Sequence, residues 1–98
     1  MSFAVEARWV ARPGEEDEVV RCLRALTAAT RREAGCRFYQ ASRSLDDPRV
    51  FLLFEVYDDR AAADAHWASD HFRRLALEDA IPRLESRERR FYSTVDVV

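Results

Sequence analysis

The sequence predicts an α+β fold in which helices cover one face of a single antiparallel sheet. Its 98 residues are enough for one domain, spanning residues 1–98. Two helix-like segments alternate with four segments rich in β-branched and aromatic residues. One of the latter, residues 50–57, is almost entirely apolar, which is typical of a strand covered on both faces.

The first half of the chain predicts a strand, a helix and a second strand. Residues 3–12 alternate loosely between apolar and polar, and Pro13-Gly14 ends that strand. Residues 15–32 begin with four acidic side chains and end with two arginines, which suits the dipole of a helix. Apolar side chains recur in this helix at spacings of three and four. Gly35 is suited to the position after the helix end, and residues 36–45 predict the second strand.

The second half predicts a strand, an interrupted helix and a last strand. A turn at residues 46–49 leads into the strand at 50–57, and Asp58-Asp59 can cap the helix that follows. A second cap at Ser69 predicts a break, after which the helix continues to residue 82, and residues 89–97 form the last strand. The order β-α-β-β-α-β is the ferredoxin-like motif. The face of the sheet that no helix covers also carries apolar side chains, which a second sheet from an identical subunit would bury. We therefore expect a homodimer with a barrel-like core between two sheets.

Composition excludes several classes of function. The net charge of −2 and the absence of a long basic run argue against nucleic acid binding. No apolar stretch is long enough for a membrane span, and the first ten residues lack the apolar core of a signal peptide, so we expect a cytoplasmic protein. The chain has no lysine and no asparagine, which excludes Schiff-base chemistry on a lysine.

Both histidines lie in the segment AHWASDHF, residues 65–72. On an unbroken helix, a spacing of five places His66 and His71 about 140° apart, whereas a two-histidine metal face requires a spacing of three or four. We therefore predict no metal. Ser69 and Asp70 read as a helix start, so the segment is a joint between two helical pieces. His66 ends the first piece, where a helix dipole favours a cation, and His71 lies near the start of the second.

Several short motifs, taken in order, resemble one family. They are Pro13-Gly14 before an acidic helix start, residues 33–36 (EAGC) before a strand, residues 55–59 (EVYDD) and residues 65–72. Together they are similar to the antibiotic biosynthesis monooxygenase family over nearly the whole chain. The resemblance implies a dimeric α+β barrel with a pocket between the sheet and the helices of each subunit.

The family resemblance implies more than one possible reaction. Some members oxidise phenols, anthrones or quinols without metal or flavin, others degrade haem, and others isomerise phosphorylated sugars. Haem-degrading members have an asparagine where Ala7 stands and a histidine near Ala76, which disfavours that activity here. We expect a cofactor-independent monooxygenase that uses O2. The alternatives are a small-molecule isomerase of the same fold or a non-catalytic dimeric ligand-binding module.

The expected site combines an apolar pocket with one base. We predict that His66 is the base and faces the pocket, with His71 as the second candidate. Glu55 or Tyr57 is the expected orienting partner, although Glu55 could equally pair with Arg8 of the other subunit. The predicted substrate-binding residues are Ala7, Trp9, Phe54, Trp67 and Phe72.

Overall fold

The computed structural model describes residues 1–96, which form four strands and an interrupted set of helices. The strands are β1 (Phe3–Ala11), β2 (Cys36–Arg43), β3 (Val50–Tyr57) and β4 (Leu84–Ser93). The helices are α1 (Glu16–Thr30), α2 (Arg60–Trp67) and the short α3 (Asp70–Phe72), which continues as a π-helical segment (Arg73–Ala80) and a 3₁₀ turn (Ile81–Arg83).

The four strands make one antiparallel sheet in the order β2-β3-β1-β4. This confirms the predicted α+β, ferredoxin-like arrangement. The two inner strands, β3 and β1, pair from Phe3 opposite Tyr57 to Val10 opposite Val50. Among the described residues, no helix has the length and apolar character needed to cross a membrane.

Alternation along the strands separates the sheet into a helix-covered face and an open face. On the covered face Ala7 lies opposite Leu53 of β3 and opposite Arg89 of β4. The stripe of α1 packs against this face, and its buried residues are Val19, Cys22, Leu23, Leu26 and Thr30. The open face carries partly exposed apolar side chains, namely Phe38, Leu52, Phe54 and Tyr92. The single chain therefore covers only one side of its sheet.

The last strand begins earlier than predicted. β4 starts at Leu84 instead of residue 89, and it ends at Ser93. Its first residues alternate charges without an apolar stripe, because β4 is an edge strand with exposed side chains and is held by backbone pairing with β1. Residue 97, the predicted end of the strand, lies outside the described residues.

The break in the second helix is confirmed at Ser69. The hydroxyl oxygen of Ser69 accepts a hydrogen bond from the backbone N–H of Phe72 at 3.2 Å, which caps α3. The same hydroxyl donates to the carbonyl oxygen of His66 at 2.7 Å, near the end of α2. Ser69 therefore fixes the angle between the two helical pieces.

Gly35 has a different role from the predicted one. α1 ends at Thr30, so Gly35 lies in the loop before β2 and not directly after the helix. A Cβ atom on Gly35 would lie 2.5 Å from the Cβ of Ala62 in α2. The missing side chain therefore lets the loop before β2 approach α2 closely.

Candidate active site

A cavity of about 160 Å³ lies between the covered face of the sheet and the joint of the second helix. The side chains that line it come from β1, β3, β4 and the helices: Val5, Ala7, Trp9, Glu55, Trp67, Phe72, Arg87, Glu88 and Arg89. Ala7 is small and sits beside the much larger Trp9, which leaves room above the middle of β1. The guanidinium of Arg89 lies over the ring of Trp67, at 4.5 Å from its centroid.

Glu55 is the buried acid of this cavity. It is 4% exposed, and its Oε1 accepts a hydrogen bond from the hydroxyl of Tyr57 at 2.6 Å. Burial raises the pKa of Glu55 from 4.5 to about 7, and nearby Glu33 adds to the effect, whereas the Tyr57 hydrogen bond and Arg89 oppose it. Burial also raises the pKa of Tyr57, so its phenol stays protonated and donates. Glu55 can therefore gain or lose a proton near neutral pH.

His66 lies close to Glu55 and is 1% exposed. Its Nδ1 is 2.7 Å from Oε2 of Glu33, a hydrogen bond, while its Nε2 is 4.0 Å from Oε1 of Glu55 and has no hydrogen-bond partner among the described residues. Burial lowers the pKa of His66, with Glu33 opposing and His71 adding to the shift. Burial thus outweighs the helix end that was expected to favour a cation, and the ring is neutral near pH 7.

His71 reaches the same carboxylate from the other side of the joint. Its Nε2 is 2.5 Å from Oε2 of Glu33, and the two imidazole centroids are 6.1 Å apart. The angle of about 140° that an unbroken helix implies therefore does not apply here. The break at Ser69 turns α3 so that both rings converge on one acid.

Glu33, His66 and His71 are also the residues that could hold a metal ion, since their donor atoms lie within 4.8 Å of one another. A metal bound at roughly 2.0–2.1 Å to each donor would keep the donors about 3 Å or more apart. The two donor separations here are 2.7 Å and 2.5 Å, which are hydrogen-bond distances. The geometry therefore favours a hydrogen-bonded triad, and the absence of a metal stays a prediction.

Most of the predicted pocket residues come together. Ala7, Trp9, Trp67 and Phe72 line the cavity, and the proposed orienting pair of Glu55 and Tyr57 is hydrogen bonded there. Phe54 lies apart from them, because alternation along β3 turns it to the open face, where its ring packs 6.0 Å from that of Phe38. His66 is not among the side chains that line the cavity, and its Nε2 lies 4.0 Å from Oε1 of the lining residue Glu55.

The alternative pairing of Glu55 with Arg8 of another subunit does not fit the structure. Glu55 points to the covered face, whereas Arg8 is exposed on the open face beside Leu52 and Glu88. The sheet separates the two side chains. The hydrogen bond from Tyr57 takes the place of that ion pair.

Sequence reasoning missed Glu33 as a partner of the histidines and Arg89 as a lining residue. Glu33 precedes β2 and lies 33 positions from His66, so no local spacing connects them. Arg89 was predicted only as the first residue of the last strand; its side chain is exposed, and its position opposite Ala7 places it at the rim of the cavity on the covered face. The one indication in the sequence was that Glu33 belongs to the EAGC motif, which carried the family resemblance but assigned no role to this residue.

Comparison with known proteins identifies the family. The sequence pattern of the antibiotic biosynthesis monooxygenases matches residues 2–76, which is more than half of the chain. The chain belongs to this family. Rv0793 of Mycobacterium tuberculosis, which is named as a provisional monooxygenase, is 39% identical over 69 residues, or 70% of this chain and 67% of that protein.

Solved structures of similar proteins share the whole fold. The structure of Rv0793 is 30% identical with a TM-score of 0.89, covering 99% of this chain and 98% of that one. PA3566 from Pseudomonas aeruginosa is 30% identical with a TM-score of 0.87, covering 97% and 95%. A structure described as an antibiotic biosynthesis monooxygenase is 29% identical with a TM-score of 0.89, covering 96% and 99%. The structural similarity therefore extends to β4, which lies outside the residues 2–76 that match the family pattern.

Proposed function

We propose that this family member is a cofactor-independent monooxygenase that oxidises a small phenol, quinol or anthrone-type compound with O2. The observation that carries the proposal is a single buried carboxyl group, Glu55, in a cavity whose lining includes Trp9, Trp67 and Phe72. Aromatic walls suit a flat apolar substrate, and one acid with a pKa of about 7 suits removal of a weakly acidic proton.

The size of the cavity favours a one-ring substrate. Pockets for larger ligands typically measure roughly 300–1,000 Å³, whereas a cavity of about 150 Å³ in another protein accepts benzene. The cavity here is about 160 Å³. A hydroquinone or a simple phenol therefore fits the cavity as it stands, and a tricyclic anthrone requires it to widen.

The chemistry needs an electron-rich anion more than it needs a cofactor. Ground-state O2 is a triplet and reacts slowly with closed-shell molecules, but a phenolate or enolate can transfer one electron to it. Loss of a proton from a phenol or quinol O–H, or from a reactive CH2 group, gives an anion with negative charge on a carbon that also carries hydrogen, and that carbon adds O2 to form a peroxide. Return of a proton to the peroxide and loss of water leave a C=O group, so one O2 yields one carbonyl and one water.

The residues of the site divide these tasks. Glu55 removes the proton because it is the buried acid of the cavity lining, and we therefore assign it the role of base that was predicted for His66. A positioned base is worth about 10²–10⁴ in rate. Arg89 at the cavity brings a positive charge to the anion that forms, and the aromatic walls exclude water from it.

Oxygen consumption separates this proposal from its alternatives. Purified protein in an oxygen electrode should consume O2 in step with loss of hydroquinone or phenol, after treatment with a chelator and without added flavin or haem. An isomerase would convert its substrate under nitrogen as fast as in air. A binding module would change the fluorescence of Trp9 or Trp67 on ligand addition without turnover. Absence of O2 uptake across one-ring and three-ring phenols would contradict the monooxygenase assignment.

A homodimer joined through the open face is part of the same proposal. Leu52 and Phe54 on β3 are 44% and 42% exposed there, and Phe38 and Tyr92 extend the apolar surface onto the two edge strands. Exposed apolar patches of this kind mark interfaces. The surface also carries Glu6, Arg8, Glu88 and Arg90, charges of both signs that a two-fold partner can match.

A further inference from the structure

A row of neighbouring polar side chains leads from the cavity to the protein surface. It begins at Glu55 on the cavity wall and passes to His66, whose Nε2 is 4.0 Å from Oε1 of Glu55. Oε2 of Glu33 then lies 2.7 Å from Nδ1 of His66 and 2.5 Å from Nε2 of His71. The side chains of Glu33 and His71 are 17% and 21% exposed, so the outer end reaches solvent.

The hydrogen bond to Glu33 determines which nitrogen of His66 carries the proton. An ionised carboxylate can only accept, so Nδ1 of the neutral ring donates to Glu33. Nε2 is then unprotonated, and it is the buried nitrogen without a partner among residues 1–96. An unprotonated nitrogen directed at a cavity acid is placed to receive that acid's proton.

The surroundings of His66 leave little room for another path. The rings of Tyr57, Phe72 and Tyr39 lie around the imidazole at centroid distances of 5.3 Å, 5.1 Å and 6.0 Å. Burial raises the pKa of both tyrosines, so neither exchanges its proton near neutral pH. The acid–base groups that remain in contact with the ring are Glu33 and His71.

We propose that His66, Glu33 and His71 form a proton relay that connects Glu55 in the cavity with solvent. The inference rests on the proposed function, in which Glu55 takes a proton from the substrate. His66, Glu33 and His71 act through Glu55, so they are positioning residues and not catalytic ones. The relay explains why two histidines and an acid are assembled next to the buried acid of the cavity.

Protons balance at each step of the relay. A proton on Glu55 moves to Nε2 of His66, the Nδ1 proton of the same ring moves to Oε2 of Glu33, and the Glu33–His71 pair releases a proton to water. The ring is neutral before and after, which agrees with its lowered pKa. Reverse transfer restores the first tautomer and returns the proton that the peroxide needs. The gap of 4.0 Å exceeds a hydrogen bond by about 1 Å, and such contacts often tighten only when substrate binds.

The first test does not require turnover. The chain has two histidines, so ¹⁵N-histidine labelling gives two imidazole patterns that NMR can assign. We expect His66 to carry its proton on Nδ1, with an Nε2 signal that shifts as Glu55 titrates near pH 7. The charged and titratable neighbours to account for are Tyr57, Arg89, Tyr39, Cys36, Glu33 and His71. A proton on Nε2 of His66 would overturn the relay.

The second test uses O2 uptake with hydroquinone in dilute buffer. His71→Ala and Glu33→Gln should each lower turnover about 10-fold, part of the 10²–10⁴ that the base contributes, with KM unchanged. Added imidazole should restore His71→Ala, because the vacated position is partly open to solvent. Glu78→Gln, which changes an exposed acid paired with Arg73, is the matched control and should behave as wild type. Wild-type turnover in both relay variants at every buffer concentration would overturn the proposal.

Two further outcomes are distinguishable. If wild-type protein consumes no O2 with any phenol, the proposed function fails, and the tautomer of His66 alone decides whether the relay exists. If one equivalent of Zn²⁺ binds and replaces the Nδ1 proton of His66, the three residues form a metal site and the relay is wrong.

Discussion

Burial of Glu55 gives the protein a stability that depends on pH. Its folded-state pKa of about 7 lies above the ordinary 4.5, so the folded protein favours the protonated acid. The resulting stabilisation is complete below pH 4.5 and is lost as the pH rises through 7. Glu55→Gln keeps an acceptor for Tyr57 but does not ionise. Relative to this variant, wild type should lose about 3 kcal/mol of unfolding free energy between pH 4.5 and pH 8. Urea unfolding across that pH range measures the unfolding free energy of both proteins. If the two free energies changed with pH in the same way, this account of Glu55 would be contradicted.

His66 is a second residue whose replacement should affect stability. His66 was predicted from the sequence to face a pocket, but the ring is buried among Tyr39, Tyr57 and Phe72. His66→Ala should remove about 2–4 kcal/mol of unfolding free energy, because it leaves a cavity and takes one donor from Glu33. Thermal or urea unfolding checks this value. A loss within the roughly 0.5 kcal/mol typical of surface changes would mean that the ring is not packed as described.

At the scale of elements, the loop before β2 is held against α2 by the missing side chain of Gly35. Gly35→Ala places a methyl group 2.5 Å from the Cβ of Ala62 and should cost about 1–3 kcal/mol of unfolding free energy. Ala62→Gly alone should cost about 1 kcal/mol because it puts a glycine in a helix. If the contact with Ala62 causes the loss in Gly35→Ala, removing the Ala62 methyl group should relieve it, and the double variant should be no less stable than Gly35→Ala. A double-mutant cycle measures this coupling. Strict additivity of the two losses would contradict this explanation.

The sequence predicts the helices and strands better than it predicts the side-chain contacts between them. The third strand, the capped joint at Ser69 and the order of elements follow from local composition, and the structure confirms them. The start of β4 was predicted too late, at residue 89 instead of Leu84, because an edge strand needs no apolar stripe. The convergence of Glu33, His66 and His71 was not predicted, because it depends on the angle at the joint and on close packing at Gly35. The alternation of side chains along a strand decides which apolar residues can line the pocket. Phe54 was predicted as a pocket residue without this criterion, and the alternation along β3 turns its side chain to the open face.

At the scale of the whole molecule, the open sheet face predicts the oligomeric state. Light scattering at micromolar concentration should give about twice the chain mass of 11.4 kDa. Leu52→Glu should shift the protein toward the monomer, because it puts a charge into the buried centre of the interface. Leu45→Glu is the matched control, since Leu45 is fully exposed in the turn before β3 and outside the sheet. A monomeric wild type, or equal effects of both variants, would contradict an interface on this face.

The central claim is that Glu55 is the base of an oxygen-consuming reaction. The most direct test is the rate of O2 uptake with hydroquinone, measured from pH 5 to 9 for wild type and Glu55→Gln. We expect the wild-type rate to rise with pH and reach half of its maximum near 7, where Glu55 ionises. Glu55→Gln should be slower by about 10²-fold or more. Equal rates for the two proteins, or a wild-type rate that does not change across pH 7, would contradict the claim.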